Sequence, residues 1–93
     1  METNVIELFD NDEAAYLSWV HAHPSGYVVN VDRARTRRQY PMVHIATHKL
    51  ISGSKGGFTT GDYIKFCSTD LDALDRYSQR EYGCPLTRCA VCM

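Results

Sequence analysis

A small α+β domain, with an antiparallel sheet of three to four strands, two helices and a cysteine knuckle at its C-terminus, is what the sequence predicts. Three observations carry that expectation. Short runs rich in β-branched and aromatic residues ("YVVNVD", "PMVHIA", "DYIKFC") are each bounded by turn-forming residues. Two longer segments instead repeat apolar residues at spacings of three and four. Three of the four cysteines fall in the last ten residues, "CPLTRCAVCM".

The elements follow in chain order. "NVIELF" reads as a short strand, and Asp10 with Glu13 as a capping pair that opens a helix. That helix runs through "NDEAAYLSWVHAH", where Tyr16, Trp19, Val20 and His23 share one face. Pro24 cannot continue it, and Gly26 permits the turn that follows. "YVVNVD" and "PMVHIA" are strands that pair as an antiparallel ribbon, with the segment "DRARTRRQY" on their connection. "ISGSKGGFTTGD" holds four of the six glycines and reads as a loop, because it lacks the Lys-Ser/Thr ending of a phosphate-binding loop. In the next strand Tyr63, Lys65 and Cys67 lie on one face, Ile64 and Phe66 on the other. Ser68 or Thr69 caps the second helix, and Asp70 and Asp72 suit the positive end of its dipole. Leu71, Leu74 and Tyr77 with Ala73 form its packing face, leaving Asp75, Arg76, Gln79 and Arg80 in water. Gly83 terminates the helix and Pro85 prevents its resumption.

Ninety-three residues suit one domain, spanning 1–93, whose limited core gains from reinforcement. With 44% hydrophobic and 23% charged residues, no stretch has the apolar length of a membrane span. The acidic start "METNVIELFDNDE" lacks the plan of a secretory signal, so a cytoplasmic location is expected. In a reducing compartment the cysteines are read as metal ligands, reactive thiols or core residues before disulfides.

Cys89 and Cys92 form a C-x-x-C pair, whose tight turn lets two thiolates reach one tetrahedral Zn2+. His44 and His48 add nitrogen donors four residues apart, and Cys67 adds a third sulfur. Five candidates thus compete for four positions, with Cys89, Cys92 and His48 completed by either Cys67 or His44. A helix folding back over the ribbon would return the terminal knuckle to the strand ends. Other readings stand beside this one. Cys67 can be a small buried hydrophobe, and His44 a strand residue or a partner behind the ligands. A redox role for C-x-x-C lacks its usual place at a helix N-terminus, and Cys84 beside Pro85 is the weakest donor candidate.

"VHIATHKLI", then a strand ending "KFCS", then an amphipathic helix leading to "CPLTRCAVC", resembles small bacterial zinc-binding domains of the plan H-x-x-x-C, central Cys, C-x-x-C. Such domains occur alone or attached to HNH-type nucleases in restriction and defence proteins. The upstream "FDNDEAAYLSWVHAHPSGYVVNVDR" is similar to their first half, so the resemblance covers nearly the whole chain. His48 stands where cysteine is usual, a change that keeps a zinc donor and alters the charge of the site. A more distant similarity, in ligand order alone, is to the N-terminal zinc domain of the Ada DNA-repair protein. Histidine at both positions of the first pair would not carry Ada's sulfur-based methyl transfer.

The resemblance implies a nucleic-acid- or defence-associated binding module. Within the residues, Arg33, Arg35, Arg37, Arg38 and Lys55 are the candidates to touch phosphates, with Tyr40 and Phe58 available to stack on bases. A formal net charge of -1 gives no global attraction, and a solvated connection is the competing reading of the arginines. A second function class is a phage- or plasmid-encoded factor that inhibits or assists a partner protein by occupying its surface. Catalysis is disfavoured, because a sulfur-rich, closed ligand set leaves no open metal position. Neither Asp62, Asp70 nor a Cys67–His44 pair sits in a motif that prescribes catalysis.

Overall fold

The valine-rich run at 27–32 has no polar alternation over its first three residues, the pattern of a strand covered on both faces. In the computed structural model, which describes residues 6–32, 41–47, 59 and 63–89, it is the central strand β2 (Tyr27–Asp32), joined by β1 (Glu7–Phe9), β3 (Met42–Ile45), β4 (Tyr63–Ser68) and β5 (Thr87–Arg88). The five strands lie in the order β1-β4-β2-β3-β5. The β2–β3 ribbon is antiparallel, as expected, and so are β2–β4 and β1–β4. The sheet is nevertheless mixed, because β5 runs parallel to β3. Its two residues, Thr87 and Arg88, are both exposed and carry no apolar signal. What makes them a strand is the open edge of β3, whose Pro41 and Val43 carbonyls accept from Thr87 N–H at 2.9 Å and Cys89 N–H at 3.0 Å.

Each face of the sheet is covered by one helix. α1 (Glu13–Ala22) brings Tyr16 and Val20 onto Phe9, Val28, Ala46 and Cys67. α2 (Leu71–Tyr82) brings Leu74 onto Val29, Val31, Val43 and Phe66, with Leu71, Tyr77, Tyr82 and Leu86 at the margin. Phe66 anchors this second layer, with ring centroids 4.7 Å from Tyr77 and 5.8 Å from the nearly parallel ring of Tyr82. The register sets the faces: Val28, Cys67 and His44 share a row on the α1 side, and Val29, Phe66 and Val43 share the next row on the α2 side.

Helix ends differ in detail from expectation. At α2 the N-cap is Asp70, whose Oδ1 accepts from Ala73 N–H at 3.2 Å. Ser68, expected as a cap, instead accepts from Asp70 N–H through its Oγ at 3.1 Å. Gly83 ends α2 in the left-handed region at φ 73°, as its place predicts. At α1 the N-cap is Asp12, with no side-chain capping bond of its own. Thr59, fully buried, supplies the missing partners from a distant part of the chain. Its carbonyl accepts from Asn11 N–H at 2.8 Å and its Oγ1 from Asp12 N–H at 3.0 Å. Glu13 answers by accepting from Thr59 N–H at 2.8 Å and from Thr59 Oγ1 at 3.2 Å. No helix among the described residues is long and apolar enough to cross a membrane.

Candidate metal centre

His44 and Cys89 occupy opposed positions at the β5 edge. In the β3–β5 ladder Met42 pairs with Thr87 and Val43 with Arg88. The bond from Cys89 N–H to the Val43 carbonyl carries the register one step further, placing Cys89 opposite His44. Neighbouring strands are about 4.8 Å apart, and residues opposite one another project to the same face. That face is the α1 side, since His44 pairs with Val28. Both side chains are buried, at 6% and 5% exposure. An imidazole and a thiol therefore project to one face from opposed positions on neighbouring strands, donors of the kinds Zn2+ takes. β3 and β5 run in the same direction, so Ile45 and Cys89 lie toward the same end of the sheet; in the sequence His48 is four residues beyond His44 and Cys92 three beyond Cys89. His48 and Cys92 themselves lie outside the described residues, and among the described residues no group of three or more His, Cys, Asp or Glu gathers in metal-holding geometry.

Cys67 belongs to a different environment. It flanks Val28 on the side opposite His44, so two strand spacings, about 9.5 Å, separate the two backbones with Val28 between them. Phe9, Tyr16, Val20, Val28 and Ala46 form the cluster around it. Burial pushes the thiol well above its ordinary range, partly opposed by the nearby Lys65 and reinforced by Glu7. Cys84 is half-buried, and its carbonyl accepts from Ser78 Oγ at 2.8 Å.

The basic candidates Arg33, Arg35, Arg37, Arg38 and Lys55, with Tyr40 and Phe58, also lie outside the described residues. Their anchors are informative. The arginine segment joins Asp32, at the end of β2, to Pro41, before β3. His44 pairs with Val28, four residues or about 13 Å back along β2 from Asp32. The anchors of the arginine connection therefore lie at the opposite end of the β2–β3 ribbon from Ile45, where β3 ends.

Sequence reasoning missed a buried polar group on the α1 face. Lys65, only 3% exposed, donates from Nζ to Asn30 Oδ1 at 2.6 Å. The ammonium lies 5.5 Å from the Tyr63 ring centroid and 6.0 Å from that of Tyr16. Burial lowers the Lys65 pKa to about 8, with Cys67 and Glu13 partly opposing the shift. The same burial, reinforced by Cys67 and Glu13, drives the Tyr16 phenol above its ordinary range. The signal was present in the period-two pattern, which puts Lys65 on the face shared by Cys67, but only the packing of α1 shows that this face is dry.

No family model matches the chain, and neither the curated proteins nor the solved structures contain a match.

Proposed function

We propose that the chain is a zinc-stabilised, non-catalytic binding module in which His44, His48, Cys89 and Cys92 hold the metal and Cys67 serves the core. The observation that carries this reading is the opposition of buried His44 and Cys89 on parallel strands, each followed within four residues by a second donor of its own kind. Bound there, Zn2+ supplies a cross-link between the sheet edge and the end of the chain, in a domain with little core to spare. Cys67 is the less suitable donor because its thiol is enclosed by apolar groups that disfavour the thiolate a metal requires.

The partner in this reading is nucleic acid, contacted by Arg33, Arg35, Arg37, Arg38 and Lys55. Its support is the crowding of four arginines within six positions, together with the resemblance to nuclease-associated zinc domains. Their connection enters β3 at Pro41, at the other end of that strand from His44, and in this reading zinc serves the fold and does not touch the ligand.

Elemental analysis of the purified protein tests the metal: about one zinc per chain is expected, lost when Cys89 and Cys92 are both changed to serine. A metal-free, folded parent overturns the reading. For the partner, affinity for a DNA or RNA oligonucleotide should fall with salt at a log–log slope of about -3 to -4 if four phosphates are engaged, and the slope should shrink when the arginines are changed to alanine. Absence of binding at low salt, beside stoichiometric capture of one protein, would replace nucleic acid with a protein partner.

A further inference from the structure

Two side chains of α2 that the helix itself does not need are spent on the chain that returns to the metal edge. After Gly83 turns the backbone, Ser78, fully buried, donates from Oγ to the Cys84 carbonyl at 2.8 Å. One turn earlier, Asp75 Oδ1 accepts from Leu86 N–H at 3.2 Å. The second Asp75 oxygen accepts from Gln79 Nε2 at 2.9 Å, which holds the carboxylate in one orientation. Leu86 packs its side chain against the α2 layer, and the next residue, Thr87, begins the ladder with β3. Cys84 and Leu86, the residues that lead into β5, are thus tied to α2 just before the ladder with β3 begins.

The pinning matters because β5 is too short to set its own register. Its two exposed residues bury no side chain that would penalise a slip. A shift of one residue would turn Cys89 to the opposite face from His44. We infer that Asp75 and Ser78 are positioning residues for metal binding: by tethering Leu86 and Cys84 they deliver Cys89 opposite His44 and preorganise the donor pair. The inference rests on the zinc reading above and adds to it the residues that set the affinity.

The test is a Co2+ titration of the full chain, followed by competition with Zn2+ against a chromophoric chelator. Three variants are compared with the parent: Asp75→Ala, Asp75→Asn and Ser78→Ala. Asparagine keeps a carbonyl oxygen for Leu86 N–H, so it separates the loss of the acceptor from the loss of charge. Expected are a parent Co2+ spectrum with thiolate charge-transfer and tetrahedral bands, a metal affinity lowered about tenfold or more in Asp75→Ala and Ser78→Ala, and near-parent affinity in Asp75→Asn. Far-ultraviolet circular dichroism of each metal-free variant shows whether α2 persists. A simply structural role would lower the melting temperature of the metal-free and metal-loaded forms alike, leaving affinity and spectrum unchanged, and that result overturns the inference while the metal reading stands. Should Asp75→Ala and Ser78→Ala both lose α2 when metal-free, positioning is rejected in favour of helix stability. A parent that binds neither metal overturns the zinc reading itself.

Discussion

Changing Lys65 to methionine should stabilise the protein at neutral pH, and by an amount that shrinks as pH rises. The Lys65 ammonium is buried beneath α1, and its pKa of about 8 lies roughly 2.5 units below the ordinary value of 10.5. At about 1.36 kcal/mol per unit, keeping the charge in place costs about 3 kcal/mol at pH 7. Methionine has a similar reach and no charge, but it leaves Asn30 Oδ1 without the 2.6 Å donor, a loss of about 1–2 kcal/mol. The net gain expected at pH 7 is about 1–2 kcal/mol, in line with other buried charges replaced by apolar groups.

The pH dependence is the sharper test. A lowered lysine pKa means that between about 8 and 10.5 the unfolded chain binds more protons than the folded one, so stability rises with pH in that window. The charge penalty should fall from about 3 kcal/mol at pH 7 to about 2 kcal/mol at pH 9. Cys67 and Tyr16, both shifted upward chiefly by burial, work in the opposite sense above their ordinary values of 9.0 and 10.0. Both remain in the variant, so the difference between parent and variant isolates Lys65, and the comparison stops at pH 9, before either dominates. Urea unfolding at pH 7 and pH 9, with equal m-values as the check on two-state behaviour, reads the difference directly. An advantage of the methionine variant that is the same at both pH values, or a plain loss of stability that does not vary, would mean that the amine is solvated and the desolvation argument wrong.

Three further outcomes follow from particular contacts. Gly83→Ala should cost about 1 kcal/mol by thermal unfolding, purely from the φ of 73°, since an added Cβ there meets nothing within 4 Å; a neutral result would remove the left-handed cap. Thr59→Val should cost about 1–3 kcal/mol, because Asp12 N–H loses its hydroxyl acceptor and Glu13 one of its donors; hydrogen exchange at the first turn of α1 should speed up selectively, and unchanged exchange would show that Thr59 does not hold that turn. Cys67→Ala should lower stability by about 1–2 kcal/mol yet leave metal stoichiometry at the parent value, whereas loss of metal would return Cys67 to the ligand set.

Much of the architecture was legible because local chemistry and tertiary packing agree. The β2, β3 and β4 segments carry β-branched and aromatic residues, and α2 carries an apolar face that meets Val29, Val43 and Phe66. The capping chemistry was read less well. Asp12 and Asp70 replaced the expected positions, because several short polar residues in a row can each serve and the strand before the helix decides which one is in reach. Asp75, read as a wet residue, faces Leu86, and no periodicity reports a hydrogen bond to a chain that doubles back. Lys65 is the plainest case: a lysine in a strand is ordinarily on the water side, and here it is enclosed by an α1 that lacks a strong apolar stripe of its own.

By itself the sequence determined the α+β class, the order of its main elements, the alternation that puts Cys67 and Lys65 on one face, and the presence of nitrogen and sulfur donors in pairs. These are local properties, set by side-chain period, turn residues and spacing. Only the tertiary structure decided that β5 joins β3 in parallel, that Thr59 completes the start of α1, and that His44 faces Cys89 while Val28 stands between it and Cys67. Those outcomes depend on which backbone donors and acceptors remain open once the core has formed. That accounting is made across the whole sheet, and no single segment contains it.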